Sequence, residues 1–507
     1  MSTLEIRFPA QLEAFKSSVT LSTLGVLLVA VLLTVGRSAA SGRRRAWIRV
    51  GRAPGLFGRN KKAAVQDFQQ HGRALVRHGY NRHKGRNFVV YTAEKDQLII
   101  APRFLPEIRM LPESKISHAQ VLMDYWVGEH IGADVAMGGA QHIDAVRGPL
   151  TRSLKTTVPM MHREYRRTSE FLFSQIPKDT REMSVYQFCY ATVSSMTSTV
   201  FIGEELTHAG GWGNIVMEYF PEAWRIRNAL KPWPYALRPL VKPFVVKDNK
   251  LEAILAKAER YLDEPIKKRR SPDNEDVDIL KFLAEYNESP RKVALQVVGI
   301  ITGALNTSTH ALMEAIYHLC AHPEYIPEIR AEARAALASE NMQWTYEVSK
   351  KLHLLDSFLK ESLRVFAPEG QVAITRKATS SFSLSDGTWV PKGTYIAVAG
   401  EAMSRDPEFY PDPERFDGRR FLGPDGLPLS PDREFHGIEP GNGMWGSGRL
   451  TCPGRHYASA LSKIIIAGLL LKYDISLPKG QTLKPGTEMD ANLMPDMTQT
   501  IVLTEIE

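Results

Sequence analysis

The sequence predicts a mainly α-helical fold with a minor β region, an α+β domain over residues 61–507, preceded by one apolar transmembrane helix. Three observations predict it. Helical periodicity dominates residues 104–285, and a single long helical pattern follows over residues 290–322. Two short β-rich stretches, at residues 88–101 and 382–398, are bounded by strong turn signals. Ahead of both lie 20 uncharged residues, 17–36. The 507-residue chain shows no internal repeat and is long enough for one large single-core domain.

The elements follow in order. Residues 1–16 form a tail of balanced charge, with Glu5, Arg7, Glu13 and Lys16. Residues 17–36 hold the run GVLLVAVLL at 25–33, and at about 1.5 Å per residue the uncharged stretch just spans a bilayer core. Residues 37–60 form a basic linker in which Arg37, Arg43, Arg44, Arg45, Arg49, Arg52 and Arg59 meet no acid. That asymmetry leaves the C-terminal part in the cytosol, as for a single-pass protein of the endoplasmic reticulum membrane. A cleaved signal peptide is the alternative, but the run is longer than a signal core and the basic cluster lies on its far side.

Residues 61–80 read as an amphipathic helix, and 88–92 and 97–101 as the strands of a hairpin with a four-residue loop. The helical pattern breaks at residues 221–244, where Pro232, Pro234, Pro239 and Pro243 forbid a long regular helix. Trp224, Trp233, Tyr235 and basic neighbours there suit a membrane interface. Ser289 then caps a helix with Pro290 at its first position, stopped by Pro323: 33 residues, about 50 Å long. Its middle, VVGIITGALNTSTHAL, is apolar nearly all round, the mark of a helix at the centre of a large protein. Within it Asn306, Thr307, Ser308 and Thr309 need partners or water. A helix over 352–365, short strands at 382–384, 389–390 and 394–398, and a Pro-, Asp- and Gly-rich segment over 404–448 lead to Cys452 and a last helix over 453–472.

Composition excludes several classes. The net charge of +8 is modest and no nucleic-acid module accompanies it, so an anionic membrane or an acidic protein partner accounts for it as well. Three cysteines, Cys189, Cys320 and Cys452, with no CxxC, argue against a disulfide framework or a cysteine-rich zinc site.

Cys452 stands apart. It lies in WGSGRLTCPGRHYA, where Gly446, Gly448 and Gly454 let the backbone turn tightly and approach a flat ligand. Pro453 can open a helix, whose N-terminal dipole and free N–H groups stabilise a thiolate, and Arg449 and Arg455 add positive charge. The loop resembles the haem-binding loop of the cytochrome P-450 family, Phe-Gly-x-Gly-x-Arg-x-Cys-x-Gly. Trp445 replaces the usual Phe, and Leu450 takes the usual Arg position with Arg449 one residue earlier. The resemblance implies the cytochrome P-450 fold and a haem b (iron protoporphyrin IX) whose iron is ligated axially by Cys452, the thiolate favouring O–O cleavage.

Other segments are similar to the same family. Glu361 and Arg364 match its E-x-x-R helix, and Arg415 in Pro413-Glu414-Arg415-Phe416 matches its third member; together they imply a salt-bridge triad that locks the loop before Cys452. Residues 303–308 of the central helix match the family's dioxygen-binding window. Thr307 is the implied proton-transferring hydroxyl, with a bond back to a helix carbonyl as the bland alternative. Asn306 stands where the family carries an acid, so the usual proton relay lacks its carboxylate. Arg376 is the implied partner of a haem propionate. His142 and Arg147 lie near a second such pair, with one residue too many between them.

The resemblance, closest in style to fungal secondary-metabolism members including those acting on terpenoid skeletons, implies a monooxygenase. It would insert one oxygen atom of O2 into a lipophilic small molecule, with electrons from NADPH through a flavin reductase. Residues 110–127, 221–240, 301–303 and 372–374 are the expected pocket walls. A haem-thiolate isomerase or peroxide-using enzyme without a reductase, and a non-enzymatic membrane-tethered helical protein, remain as alternatives.

Overall fold

Short β-branched runs at both ends of the domain meet in one sheet, and the long helical middle builds a separate core beside it. The computed structural model describes residues 47–52, 60–92, 95–136, 139–177, 180–287, 289–366, 373–489 and 492–506. The expected tail, the anchor at 17–36 and most of the basic linker lie outside these residues. Among the described residues no helix is long and apolar enough to cross a membrane.

The sheet starts earlier than expected. Strand β1 (Ile48–Val50) falls within the stretch read as linker and runs parallel to β2 (Phe88–Tyr91). The 22-residue helix α1 (Lys61–Arg82) makes the crossover and buries Phe68, Val76 and Tyr80. β2 folds back on β3 (Asp96–Ile99) with Phe88 opposite Ile99, as the hairpin pattern requires. β4 (Ile116–Ser117) follows, and the sheet is completed by β6 (Ala373–Ala378) and β9 (Tyr395–Val398), in the order β1-β2-β3-β9-β6-β4. β5 (Glu182–Ser184), β7 (Phe382–Ser383) and β8 (Trp389–Val390) lie between these in sequence and belong to small satellite sheets.

The helical core begins with α2 (Ala119–Trp126), α3 (Leu154–Ser174) and α4 (Val185–Ile202). The region at 221–244, expected to be irregular, is mostly helical. α5 (Trp212–Leu230) runs straight through Pro221, and α6 (Arg238–Val245) resumes after a short 3-10 turn. An interior proline costs about 3 kcal/mol. Burial of Trp212, Ile215, Val216, Ala223, Ile226 and Leu230 along one face of α5 outweighs that cost. Only residues 231–237 show the expected break.

α7 (Leu251–Arg269) and α8 (Ile279–Tyr286) lead to the central helix α9 (Pro290–Ala321), 32 residues long. The Ser289 hydroxyl accepts from the Lys292 amide at 3.3 Å, so cap and first-turn proline stand where the sequence placed them. α9 packs on α4 and α7, on α11 (His353–Phe366), which follows α10 (Tyr325–Ala338), and on α12 (Arg455–Leu470). Val293, Val297, Val298, Ile301, Leu305, Leu312 and Ile316 are all buried there. A C-terminal sheet of β10 (Tyr473–Ser476), β11 (Thr500–Glu505) and β5 closes the far side.

Candidate functional site

Cys452 sits at the junction of the irregular 404–454 segment and α12. Its amide donates to the Trp445 carbonyl at 2.7 Å, which closes the loop as a tight turn. Gly446 and Gly448 adopt φ of +76° and +64°, the left-handed region that side chains disfavour. A Cβ at Gly448 would stand 2.6 Å from the Arg109 carbonyl oxygen, and one at Gly446 2.9 Å from that of Leu450. Both glycines are therefore required by conformation and by space. Gly454 is different: it has ordinary φ and caps α12, three residues before which the Cys452 sulfur lies within electrostatic reach of the Arg455 guanidinium. Trp445 takes the usual Phe position with its indole N–H donated to the Phe435 carbonyl at 2.6 Å and its ring edge-on to Phe435 at 5.5 Å.

Buried ions hold this loop from behind. Glu361 and Arg364 on α11 pair at 2.7 Å with both side chains 0% exposed. The third member of the triad is Arg420, not Arg415. The Arg420 Nε lies 3.0 Å from both oxygens of Glu361. Arg415 is exposed, and it is its backbone carbonyl that accepts from Arg420 at 2.6 Å. Two Arg-Phe pairs, 415–416 and 420–421, compete for the motif; the one whose Phe is wholly buried, Phe421, carries the ion pair. Lys360, also fully buried, donates to the carbonyls of Asp432 and Glu434 at 2.8 Å, and Asp356 accepts from the Phe435 amide at 2.6 Å. These bonds pin the chain just before Trp445.

On α9 the side opposite the core is open. Gly303 and Thr307 are exposed in the middle of an otherwise buried helix, and a Cβ at Gly303 would meet nothing within 4 Å. The Thr307 hydroxyl donates to the Gly303 carbonyl at 2.9 Å, so in this structure it takes the bond back to its own helix. The Asn306 amide donates to the Thr302 carbonyl at 3.4 Å.

Three basic groups frame the loop. Arg376 on β6 is buried, and a bulge between Ala373 and Arg376, with Ile374 at φ +54°, re-aims the strand beside it. His118, which the sequence reading missed, bonds the Thr375 carbonyl through Nδ1 at 3.0 Å; burial first and the Arg376 charge second lower its pKa to about 4. Its one available signal was the start of a helix directly after β4. Arg147 donates to the Arg449 carbonyl at 3.2 Å, while the Arg449 side chain is exposed. Arg147 lies on a π-turn, Val146–Leu150. Such a turn takes up one extra residue, which accounts for the long spacing from His142. The His142 Nδ1 is buried with no partner among the described residues.

A profile of the cytochrome P-450 family matches residues 143–502. The chain belongs to the cytochrome P-450 family. Similar proteins include the cytochrome P-450 monooxygenase AN1598 of Emericella nidulans, 27% identical over 86% of this chain and 84% of that protein. The ent-kaurene oxidase of Gibberella intermedia is 29% identical over 85% and 82%, and the cytochrome P-450 monooxygenase trt6 of Aspergillus terreus 29% over 90% and 95%. As a P-450 monooxygenase the chain is an enzyme of a haem-thiolate family, which removes the non-enzymatic alternative.

The residues present fit a haem. A half-buried cysteine follows a glycine turn with little side-chain bulk, buried Arg376 and the orphaned His142 Nδ1 offer polar partners, and the accessible face of α9 leaves room. Cys452 would hold the haem iron through its thiolate, with Trp445, Gly446, Gly448 and Gly454 forming the loop that presents it.

Proposed function

We propose that this P-450 inserts one oxygen atom of O2 into a bulky lipophilic molecule of terpenoid type, using haem b and electrons from an NADPH-dependent flavin reductase at the endoplasmic reticulum membrane. The observation that carries the reading is the Cys452 turn, which two glycines at positive φ make possible and which buried ions brace against α11. Bound haem with a thiolate ligand supplies the dioxygen activation and the bond insertion. The chain supplies the rest: Cys452 ligates, Arg376 and Arg147 balance propionate charge, neutral His118 braces the β6 backbone beside Arg376, and the Gly303–Thr307 face of α9 leaves space for dioxygen and substrate.

The terpenoid reading rests on the ent-kaurene oxidase among the relatives and on apolar walls. Trp126, Phe220 and Trp224 cluster with ring centroids 5.7–6.3 Å apart, bridging α2 and α5. The membrane reading is supported by the apolar run at 17–36 and by Trp233, Tyr235, Leu237, Leu240 and Phe244, all exposed around α6 beside Arg238 and Lys242. Arg147, Arg449 and Arg455 give the loop side a positive face for an acidic reductase.

The test is the carbon-monoxide difference spectrum of the reduced protein. A red-shifted thiolate band is expected, and Cys452→Ala should abolish it. Purified reductase and NADPH should then convert a diterpene hydrocarbon to an oxygenated product. Turnover with peroxide alone, and none with reductase, would sink the reductase-dependent reading.

A further inference from the structure

The accessible face of α9 does not end at Thr307. Taking 100° per residue, Gly303, Thr307, His310, Ala311 and Glu314 fall within a sector about 100° wide. His310 and Glu314 are partly exposed, yet protein atoms surround most of each side chain. Ala311 shares that partial exposure, and every other residue from 308 to 316 is buried. Helical side chains lean toward the N-terminus, so both groups tilt back toward Thr307. Among the described residues neither the Glu314 carboxyl nor the His310 ring makes a hydrogen bond or ion pair. A carboxyl enclosed in protein and left without a partner needs either water or a task.

We propose that Glu314, acting through His310 and water, supplies the protons that reach Thr307, replacing the carboxylate missing at Asn306. The inference rests on the monooxygenase reading above. Each turnover reduces one oxygen atom of O2 to water with two electrons, which the reductase provides, and two protons. Glu314 gives up its carboxyl proton through a bridging water to one imidazole nitrogen of His310, whose other nitrogen releases one to water hydrogen-bonded at Thr307. Solvent then reprotonates the carboxylate. Thr307 is free for this once its hydroxyl leaves the Gly303 carbonyl. Glu314 is thus a positioning and proton-supplying residue, not a catalytic one.

Burial alone raises the Glu314 pKa to about 8, so its proton is present at neutral pH, and burial holds His310 down at about 4, neutral and able to relay. The titratable groups around it are His310, Tyr317, His318 and Cys320 on α9, with His322 at its C-terminal end. Cys189, Asp496 and Glu361 face Tyr317 and His318 from neighbouring elements.

The experiment uses the full haem-loaded chain with reductase and NADPH. Infrared difference spectra at neutral pH should show the carbonyl stretch of a protonated, buried carboxylic acid, absent in Glu314→Gln. In that variant the reductase-driven rate should fall on the order of 10- to 100-fold and lose its decline above pH 8, while the thiolate–carbon monoxide band stays. Adding Asn306→Asp to Glu314→Gln should restore the rate, and Glu314→Asp should retain part of it. Failure of the thiolate band in the wild type would overturn the monooxygenase reading itself. A normal band with no Glu314-dependent carbonyl signal, or an undiminished rate in Glu314→Gln, overturns the relay alone. If Glu314→Gln does not fold, His310→Gln gives the same contrast, and an unchanged rate in it overturns the relay.

Discussion

Replacing Arg420 by alanine is expected to cost far more than replacing Arg415. Arg420 shares Glu361 with Arg364, and its other nitrogens hold the carbonyls of Pro411, at 2.5 Å, and Arg415, at 2.6 Å. Its removal leaves a fully buried carboxylate with one partner fewer and takes a donor from each of two carbonyls, a loss of about 3–5 kcal/mol. The exposed Arg415 side chain should cost within about 0.5 kcal/mol. Urea unfolding of the two variants checks this, and equal midpoints would return the triad to Arg415. The same scale explains what motif reading can miss. Sequence offered two Arg-Phe pairs five residues apart, and only burial tells them apart. His118 was silent for a related reason: nothing in its neighbours says that a strand 257 residues later brings Arg376 beside it.

Elements whose signal is local were legible in the sequence. The capped central helix, the α1 helix and the first hairpin sit within a few residues of where periodicity and turn chemistry put them. β1, β4, β5 and the C-terminal strands were not legible, because strands of two to six residues take their identity from distant partners rather than from their own pattern. α5 shows the converse, with tertiary burial carrying a helix through Pro221. The site divides along the same line. Cys452 and its glycines form one continuous loop and were found; Arg420, His118, His310 and Glu314 depend on what folding brings together or hides. One element invites a separate test. If the exposed face at Trp233 and α6 rests on the bilayer, brominated acyl chains should quench part of the tryptophan fluorescence of the full chain in vesicles. Trp233→Phe should remove that part, and Phe244→Glu should weaken it. Quenching unchanged in both variants would place this face away from the lipid.

Across the whole molecule, buried imidazoles set the response to acid. His162 stacks on Trp344 at 5.2 Å, His318 on Phe416 at 4.9 Å, and His436 lies against His456 at 4.3 Å. Burial is the largest cause in each and holds all three pKa values near 4, against 6.5 when unperturbed. Between those values the unfolded chain binds a proton that the folded chain does not, so stability is complete above about pH 6.5 and falls as pH drops toward 4. Each imidazole contributes up to about 1.4 kcal/mol per pH unit in that window. Glu314 acts with the opposite sign. Its pKa of about 8 means the folded chain holds a proton that the unfolded chain has lost above about 4.5, so its contribution declines as pH rises. Five imidazoles held near 4, His118 and His310 among them, outweigh the carboxyls that burial raises, Glu314 with Asp278, Glu332 and Glu434, and the net slope between pH 4.5 and 6.5 remains upward. Glu401 steepens the acid limb further: Arg73, Arg77 and Arg405 surround it and hold its pKa below the ordinary value despite burial, an attraction lost as it protonates. The urea midpoint at pH 5 should therefore lie well below that at pH 7, and His318→Gln should narrow the gap by about a fifth, since His118 and His310 are held near 4 as well. Equal midpoints at the two pH values would mean that these rings already carry their protons in the folded state.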